Sequence, residues 1–133
     1  MTNEHSRLVV WIDHKVAHLY AFTATGAREI AVIRAPDQGA GHIHHKAGSP
    51  GSGRVALSHE FLDEIARGLE HVQQLLIIGS AEAKNGLKAY LERQWPGVAE
   101  KIIGVEPMRK SSKGQISAFA RPHFLRADQM RRK

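Results

Sequence analysis

Three histidines lie close together in a glycine-rich part of the sequence, at His42, His44 and His45. Neutral imidazoles are common metal ligands, and in an extended segment the side chains of His42 and His44 would point to the same side. A metal site also needs further ligands and a rigid frame, and the surrounding glycines supply neither. The cluster is therefore a weak candidate metal site, and the alternative is a polar loop that faces RNA.

Positive charge is concentrated near the C-terminus of this 133-residue chain, whose net charge is +6. Residues 107–133 hold eight Lys and Arg against one acid, whereas residues 1–106 hold 11 basic against 12 acidic residues. Basic side chains neutralise phosphates, so this asymmetry favours contact with a polyanion such as RNA; the alternative is a solvated segment that aids solubility. The candidate RNA-binding residues are Lys46, Arg54, Arg109, Lys110, Lys113, Arg121, Arg126, Arg131, Arg132 and Lys133.

Acidic residues are placed for structural roles rather than for catalysis. Hydrolysis of RNA by two metal ions needs several carboxylates that converge on one point. Here Asp13 falls in a turn, Asp63 and Glu64 on the polar side of a helix, and Glu82 in a first helical turn, where the dipole favours an anion. The sequence also lacks a P-loop, a dinucleotide fingerprint and a nucleophile elbow. We predict no catalytic residue and no cofactor, and a binding role is favoured over an enzymatic one.

The composition indicates one domain that can bury a core, since 42% of the residues are hydrophobic. The chain has no cysteine, which excludes disulfides and thiolate metal sites and favours a reducing compartment. No apolar run approaches the ~20 residues of a membrane span. We therefore predict a cytoplasmic protein with no membrane partner. Because aromatic residues make up only 6% of the chain, we expect any RNA to be recognised by its backbone and shape.

The N-terminal part predicts three strands. Residues 8–12 are continuously apolar, as in a strand buried on both faces, and residues 16–22 and 28–34 follow after short turns. In residues 16–22 the even-numbered positions share one face, so that His18 is expected to be half-buried and hydrogen-bonded. We expect an antiparallel meander, whose outer strand could form the interface of a homodimer. Residues 35–54 then contain five glycines, two prolines and no period, and a long loop of this kind is usually functional or disordered.

Helical spacing of apolar residues begins at Leu57, and Ser58 is a suitable N-cap. The four apolar residues 75–78 end at Gly79 and predict a strand buried on both faces. Ser80 is then placed to cap a second helix.

That second helix ends at residues 95–97, and residues 102–105 predict a fifth strand. Ser112 and Gln115 match a capping box, which predicts the start of a last helix. Because proline disfavours helix at the residue before it, Pro122 predicts a kink or a stop in that helix.

The resulting order is β-β-β-α-β-α-β-α. Strands four and five are joined through a helix, so they should be parallel with a right-handed crossover. We predict an α/β fold with a mixed sheet, in which three antiparallel strands are followed by a parallel βαβ unit. Residues 1–124 would form the single domain, including the loop at 35–54, and residues 125–133 a basic C-terminal tail.

Three segments resemble one protein family. Residues 76–84 (LIIGSAEAK) are similar to its strand and Gly-Ser turn into a helix, residues 102–106 (IIGVE) to its next strand, and residues 113–124 to the last helix of its bacterial relatives. The family is the central domain of archaeal and eukaryotic class I peptide release factors, which also occurs in the ribosome-rescue protein Pelota and in stand-alone bacterial proteins. The resemblance covers residues 8–124 and implies a ribonuclease-H-like sheet and a role in translation.

One departure from that family concerns its catalytic tripeptide. Release factors carry Gly-Gly-Gln in the long loop, where it promotes hydrolysis of peptidyl-tRNA. Residues 39–53 contain no Gly-Gly pair, and the glutamine of this loop, Gln38, precedes them. Pelota likewise lacks the tripeptide. The sequence therefore predicts a non-catalytic translation-associated factor that binds the ribosome or tRNA through the Gly/His-rich loop and the basic C-terminal segment. The alternatives are a metal-assisted hydrolase acting on RNA or peptidyl-tRNA without Gly-Gly-Gln, and an oligomeric domain of another function.

Overall fold

Five largely apolar strands pair into one sheet in the structure, a computed structural model that describes residues 6–36 and 57–131. The strands are Arg7–Ile12 (β1), Val16–Thr23 (β2), Gly26–Arg34 (β3), Gln74–Gly79 (β4) and Ile102–Pro107 (β5). The sheet order is β3-β2-β1-β4-β5. β2 is antiparallel to β1 and to β3, whereas β4 is parallel to β1 and to β5. This arrangement confirms the predicted mixed sheet, in which three antiparallel strands are followed by a parallel βαβ unit.

Helices cover both faces of the sheet. Within the described ranges they are His59–Gly68 (α1), Ala81–Gln94 (α2), Pro96–Ala99 (α3) and Lys113–Arg131 (α4). The short α3 has no counterpart in the predicted order; it begins at a proline, whose fixed φ and missing N–H suit a first helical turn. None of these helices is long and apolar enough to cross a bilayer.

The central strands are buried on both faces because two separate apolar clusters sandwich them. On β1, Leu8, Val10 and Ile12 belong to the cluster under α1 and α2, whereas Val9 and Trp11 belong to the cluster under α4. β2 alternates in the same way, and its even-numbered residues share one face, as predicted; the structure shows that this face lies under α4. Among the described residues, one helix therefore closes one face of the sheet, and three helices close the other.

Two of the three predicted helix caps are confirmed. The hydroxyl of Ser58 accepts the Phe61 amide at 3.0 Å. Ser112 accepts the Gln115 amide at 3.2 Å, and the side-chain oxygen of Gln115 accepts the Ser112 amide at 3.2 Å, which completes a capping box. Ser80 has the extended backbone of an N-cap, but its buried hydroxyl accepts no amide and has no hydrogen-bond partner among the described residues. The prediction that its side chain caps α2 is therefore wrong.

Pro122 lies inside α4, so the predicted stop at this proline is wrong. A proline in a helix interior costs about 3 kcal/mol, because it removes one hydrogen bond and crowds the preceding turn. The ring of His123 makes an additional contact in this turn, since its Nδ1 lies 3.0 Å from the Phe119 carbonyl oxygen and can donate to it. Ala120 and Phe124 are both buried against the sheet, so packing on each side of Pro122 holds the helix together.

A polar network fastens the C-terminal half of α4 to the sheet. The guanidinium of Arg7 donates to Asp128 Oδ2 at 2.8 Å and to Gln74 Oε1 at 3.0 Å. The amide group of Gln74, which is 3% exposed, donates to Asp128 Oδ1 at 3.0 Å. Residues 125–131 therefore continue the helix and reach the ends of β1 and β4 at which these strands begin.

Each outer strand of the sheet contains an irregularity. The β2–β3 pairing skips Ile30, and the β4–β5 pairing skips Ile103, so both outer strands carry an unpaired residue of the kind found in β-bulges. β3 is an outer strand, as the predicted homodimer requires, but a bulge makes an edge a poorer template for another strand. The dimer through β3 stays a prediction.

We expect Gly79→Ala to destabilise the fold by about 3 kcal/mol or more. Gly79 has a φ of 137°, and a Cβ at this position would overlap the carbonyl oxygen of Ile12. Gly97→Ala is the matched control, because a Cβ there meets no atom within 4 Å. Urea unfolding followed by circular dichroism measures both variants, and equal midpoints would contradict this account of Gly79.

Asp128→Ala should lower the free energy of unfolding by about 1–3 kcal/mol, because it leaves the buried amide group of Gln74 without its acceptor. Gln129→Ala changes an exposed neighbour on the same helix and should be close to neutral. Thermal and urea unfolding of the two variants provide the comparison. A similar loss in both would show that the Arg7–Gln74–Asp128 network does not stabilise the fold.

Candidate nucleic-acid interface

The ends of β1, β4 and β5 meet at one edge of the sheet, which we call the carboxyl edge. Beyond the strands, the Ser80 amide donates to the Ile12 carbonyl oxygen at 3.1 Å, and the Met108 amide donates to the Gly79 carbonyl oxygen at 3.1 Å. Open α/β sheets commonly bind ligands beyond the carboxyl ends of their parallel strands. The residues that follow these strand ends are therefore candidates for a functional surface.

The turn between β1 and β2 also lies at the carboxyl edge. The carboxylate of Asp13 accepts the amides of Lys15 at 2.8 Å and Val16 at 2.9 Å, which fixes the turn through its own side chain. The amide of Ala35 donates to the Lys15 carbonyl oxygen at 2.8 Å. This bond places the end of β3, and with it the start of the Gly/His-rich segment, beside the turn.

The candidate residues of the Gly/His-rich segment lie outside the described residues. They are His42, His44, His45, Lys46 and Arg54. Their roles in RNA contact or metal binding stay predictions. The described part of the chain shows where this segment begins, which is after Pro36 at the carboxyl edge.

Arg109 and Lys110 follow β5 directly and are exposed. The backbone that leads to Arg109 is held at Met108, whose carbonyl oxygen accepts the indole N–H of Trp11 at 2.9 Å. The Arg109 carbonyl oxygen then accepts the Ser111 hydroxyl at 2.8 Å. The backbone is therefore held on both sides of two basic side chains that extend into solvent. Lys113, also exposed, begins α4 four residues after Arg109.

The other predicted basic residues lie elsewhere on α4. Arg121 is exposed, with its guanidinium carbon 5.3 Å from the centre of the Phe22 ring. Arg126 is five residues further on, which at about 100° per residue turns it to the opposite flank of the helix. Arg131 is the last residue of α4, and residues 132–133 lie outside the described ranges. Among the side chains that the structure describes, Arg121 and Arg126 therefore do not join Arg109, Lys110 and Lys113 in a single patch.

A groove of about 600 Å³ separates β5 from the C-terminal half of α4. Within it, His123 Nε2 lies 3.7 Å from Glu106 Oε2, a pair that the sequence analysis did not predict. The 16 residues between them give no local signal, because the contact of Glu106 with His123 depends on how α4 crosses the sheet. Arg126 and Lys101 line the groove together with Glu106 and Glu100. Acids and bases are therefore balanced, and the groove has no charge preference for phosphate.

The acidic residues are engaged in structural contacts. Asp63 accepts hydrogen bonds from Arg67 Nε at 2.8 Å, the Tyr90 hydroxyl at 3.1 Å and Trp95 Nε1 at 3.2 Å. The hydrogen bond from Arg67 is the main cause that lowers the pKa of Asp63 below its ordinary value, and the Tyr90 and Trp95 donors act in the same direction. Burial and the nearby Asp63 carboxylate raise the pKa of Tyr90.

His18 is half-buried and hydrogen-bonded, as predicted, with its Nδ1 2.7 Å from Glu29 Oε2. The Trp11 ring meets the His18 ring at a centroid distance of 6.1 Å. Within residues 6–36 and 57–131, no three His, Asp or Glu side chains converge as a metal-binding group.

The fold is similar to solved structures of Pelota. The Pelota proteins of Archaeoglobus fulgidus and Thermoplasma acidophilum match with TM-scores of 0.61 and 0.60, over 86% and 90% of this chain, at 21% and 18% sequence identity. The chain spans about a third of their length, 30% and 34% respectively. At these identities the likeness shows a shared fold, which agrees with the Pelota part of the resemblance. No protein-family model matches the sequence, and no curated protein matches it significantly.

We expect Asp63→Asn to remove part of the acid sensitivity of the fold. The pKa of Asp63 is lower in the folded state than in the unfolded state, so the ionised side chain stabilises the fold above the ordinary aspartate value of about 3.9. This stabilisation is lost as the pH falls through the folded-state pKa. The difference in unfolding free energy between wild type and variant should therefore be largest at neutral pH and shrink in acid.

Urea unfolding at a series of pH values from neutral to about 2.5 measures that difference. Glu64→Gln, at the exposed neighbouring position, is the control and should show a much smaller change. A difference for Asp63→Asn that stays constant over the whole pH range would contradict the lowered pKa.

Proposed function

We propose that this domain is a non-catalytic, translation-associated factor of the cytoplasm that binds the ribosome or tRNA. Two observations support the proposal. The fold is shared with Pelota, which is a ribosome-rescue protein in the family that the sequence resembles. The carboxyl edge presents the exposed basic side chains of Arg109 and Lys110, and the Gly/His-rich segment departs from the same edge.

The second observation carries the argument. The bonds from Ala35 to Lys15 and from Met108 to Gly79 bring the start of the Gly/His-rich segment and the pair Arg109–Lys110 to the same edge of the sheet. Five strands at spacings of about 4.8 Å make this edge about 19 Å wide. The N-terminus of α2 also opens there, and the dipole of a helix gives this end a partial positive charge. An RNA backbone that crosses the edge would thus meet positive charge along its path.

In this proposal the predicted residues have two different roles. Arg109, Lys110 and Lys113 contact phosphates directly, together with Lys46 and Arg54 of the loop. Histidines 42, 44 and 45 contact the same RNA from the glycine-rich segment, whose small residues permit a close approach.

The remaining cations act mainly at longer range. Arg121, Arg126 and residues 131–133 lie along or beyond α4, and they raise the local concentration of RNA through the field that they create. Their effect should be screened by salt more readily than a direct phosphate contact.

The test is binding to purified ribosomes and to tRNA over a series of salt concentrations. We expect tight binding of the wild type at low salt and a steep loss of affinity as salt rises, because each neutralised phosphate releases counterions. Arg109→Ala/Lys110→Ala should weaken binding and reduce the slope of log K against log salt by about 1.4–1.8, which corresponds to two lost phosphate contacts.

Lys88→Ala/Arg93→Ala removes two positive charges from α2 and is the matched control. Lys88 and Arg93 lie in α2, on the face of the sheet opposite α4 and away from Arg109 and Lys110. Their loss should therefore change affinity only through net charge. Point substitutions are preferable to truncation after Phe124, because truncation removes Asp128 and its hydrogen bonds to the sheet. Absence of binding to ribosomes and tRNA at low salt would refute the proposal, and equal effects of the two double variants would refute the role of Arg109 and Lys110.

A further inference from the structure

Two exposed basic residues outside the predicted set lie at the start of the Gly/His-rich segment. Lys15 is in the turn fixed by Asp13, and Arg34 is the last residue of β3, where it pairs with Val16. The bond between Ala35 and Lys15 makes the two basic residues neighbours across the β2–β3 ladder. In the sequence 18 residues separate them, and no pattern predicts this proximity.

We infer that Lys15 and Arg34 form a second phosphate-binding pair, at the opposite end of the carboxyl edge from Arg109 and Lys110. The inference rests on the proposed function and deepens it, because it assigns the path of the ligand. An RNA phosphodiester backbone is held at both ends of an edge about 19 Å wide, with the departure point of the Gly/His-rich segment at one end.

The geometry favours a fixed site over two mobile surface charges. The backbone of Lys15 is held twice, through its amide on Asp13 and through its carbonyl oxygen on Ala35, so only its side chain is free to move. Arg34 is held by the sheet in the same way. A rigid backbone lowers the entropy that binding must overcome, which raises the affinity that a given phosphate contact can provide.

Among the described residues, the charges nearby leave both cations available; Asp37, the acid nearest to Arg34 in sequence, lies outside the described residues. Neither Lys15 nor Arg34 forms an ion pair with another described residue. The acid closest in sequence to Lys15, Asp13, has one carboxylate oxygen occupied by two backbone amides, and Glu29 on β3 is engaged by His18. Asp13 remains a negative charge at the edge, so Lys15 contributes less than a fully isolated lysine would.

Binding measurements over a salt series test the charge requirement. Lys15→Ala/Arg34→Ala should weaken binding to ribosomes or tRNA and lower the salt slope by about 1.4–1.8, as for the pair at the other end. Lys15→Arg/Arg34→Lys keeps both charges and should bind within about twofold of the wild type. Urea unfolding of both variants checks that the turn and β3 remain intact.

Directed cleavage of the bound RNA tests the path. The natural chain has no cysteine, so single-cysteine variants can be labelled at one position each with an iron chelate that generates hydroxyl radicals. Chelates at Lys15→Cys, Arg34→Cys and Arg109→Cys should cut the same RNA element, with the cuts from position 34 displaced along the strand from those of position 109. A chelate at Arg93→Cys should give no cuts in that element.

The outcomes separate the inference from the function on which it depends. Loss of affinity in the Arg109/Lys110 variant without any loss in the Lys15/Arg34 variant would overturn the inference and leave the proposed function standing. Cuts from position 109 with none from positions 15 and 34 would have the same meaning. A wild-type protein that binds neither ribosomes nor tRNA at low salt would overturn the proposed function itself.

Discussion

The parallel pairing of β1 with β4 is the contact on which the rest of the structure depends. From Leu8 to Ile12, and along the whole of β4, every residue is buried, so helices must cover the sheet on both sides. The two strands approach so closely at their carboxyl ends that only glycine fits at position 79 beside Ile12. The same pairing brings the residues that follow β1 and β4 to one edge, and the candidate interface is built there.

Features that depend on a few neighbouring residues could be predicted from the sequence. Each strand was identified from a short run of apolar or alternating residues, and the capping box at Ser112 is complete within four positions. The parallel arrangement of β4 and β5 follows from the helix between them, because such crossovers have a fixed hand. In each of these cases the physical cause lies within the segment itself.

Contacts between distant parts of the chain could not be predicted in this way. Pro122 is a helix breaker by local rules, yet packing of its neighbours against the sheet outweighs that preference. Ser80 has the residue type and the backbone of an N-cap, but its hydroxyl makes no cap hydrogen bond. The proximity of Lys15 to Arg34, and of Glu106 to His123, requires knowledge of which strands are neighbours, which no short sequence pattern contains.

The separation of the apolar core into two clusters has a consequence for how the chain folds as it is made. In the part of the chain that the structure describes, residues 57–107 supply the helices that close one face of the sheet, whereas α4 is the helix that closes the other. Until residues 113–131 have been synthesised, Tyr20, Phe22 and Leu76 lack the helix that buries them. A growing chain therefore exposes this apolar surface until α4 has been translated. During that interval the exposed surface favours chaperone binding and aggregation.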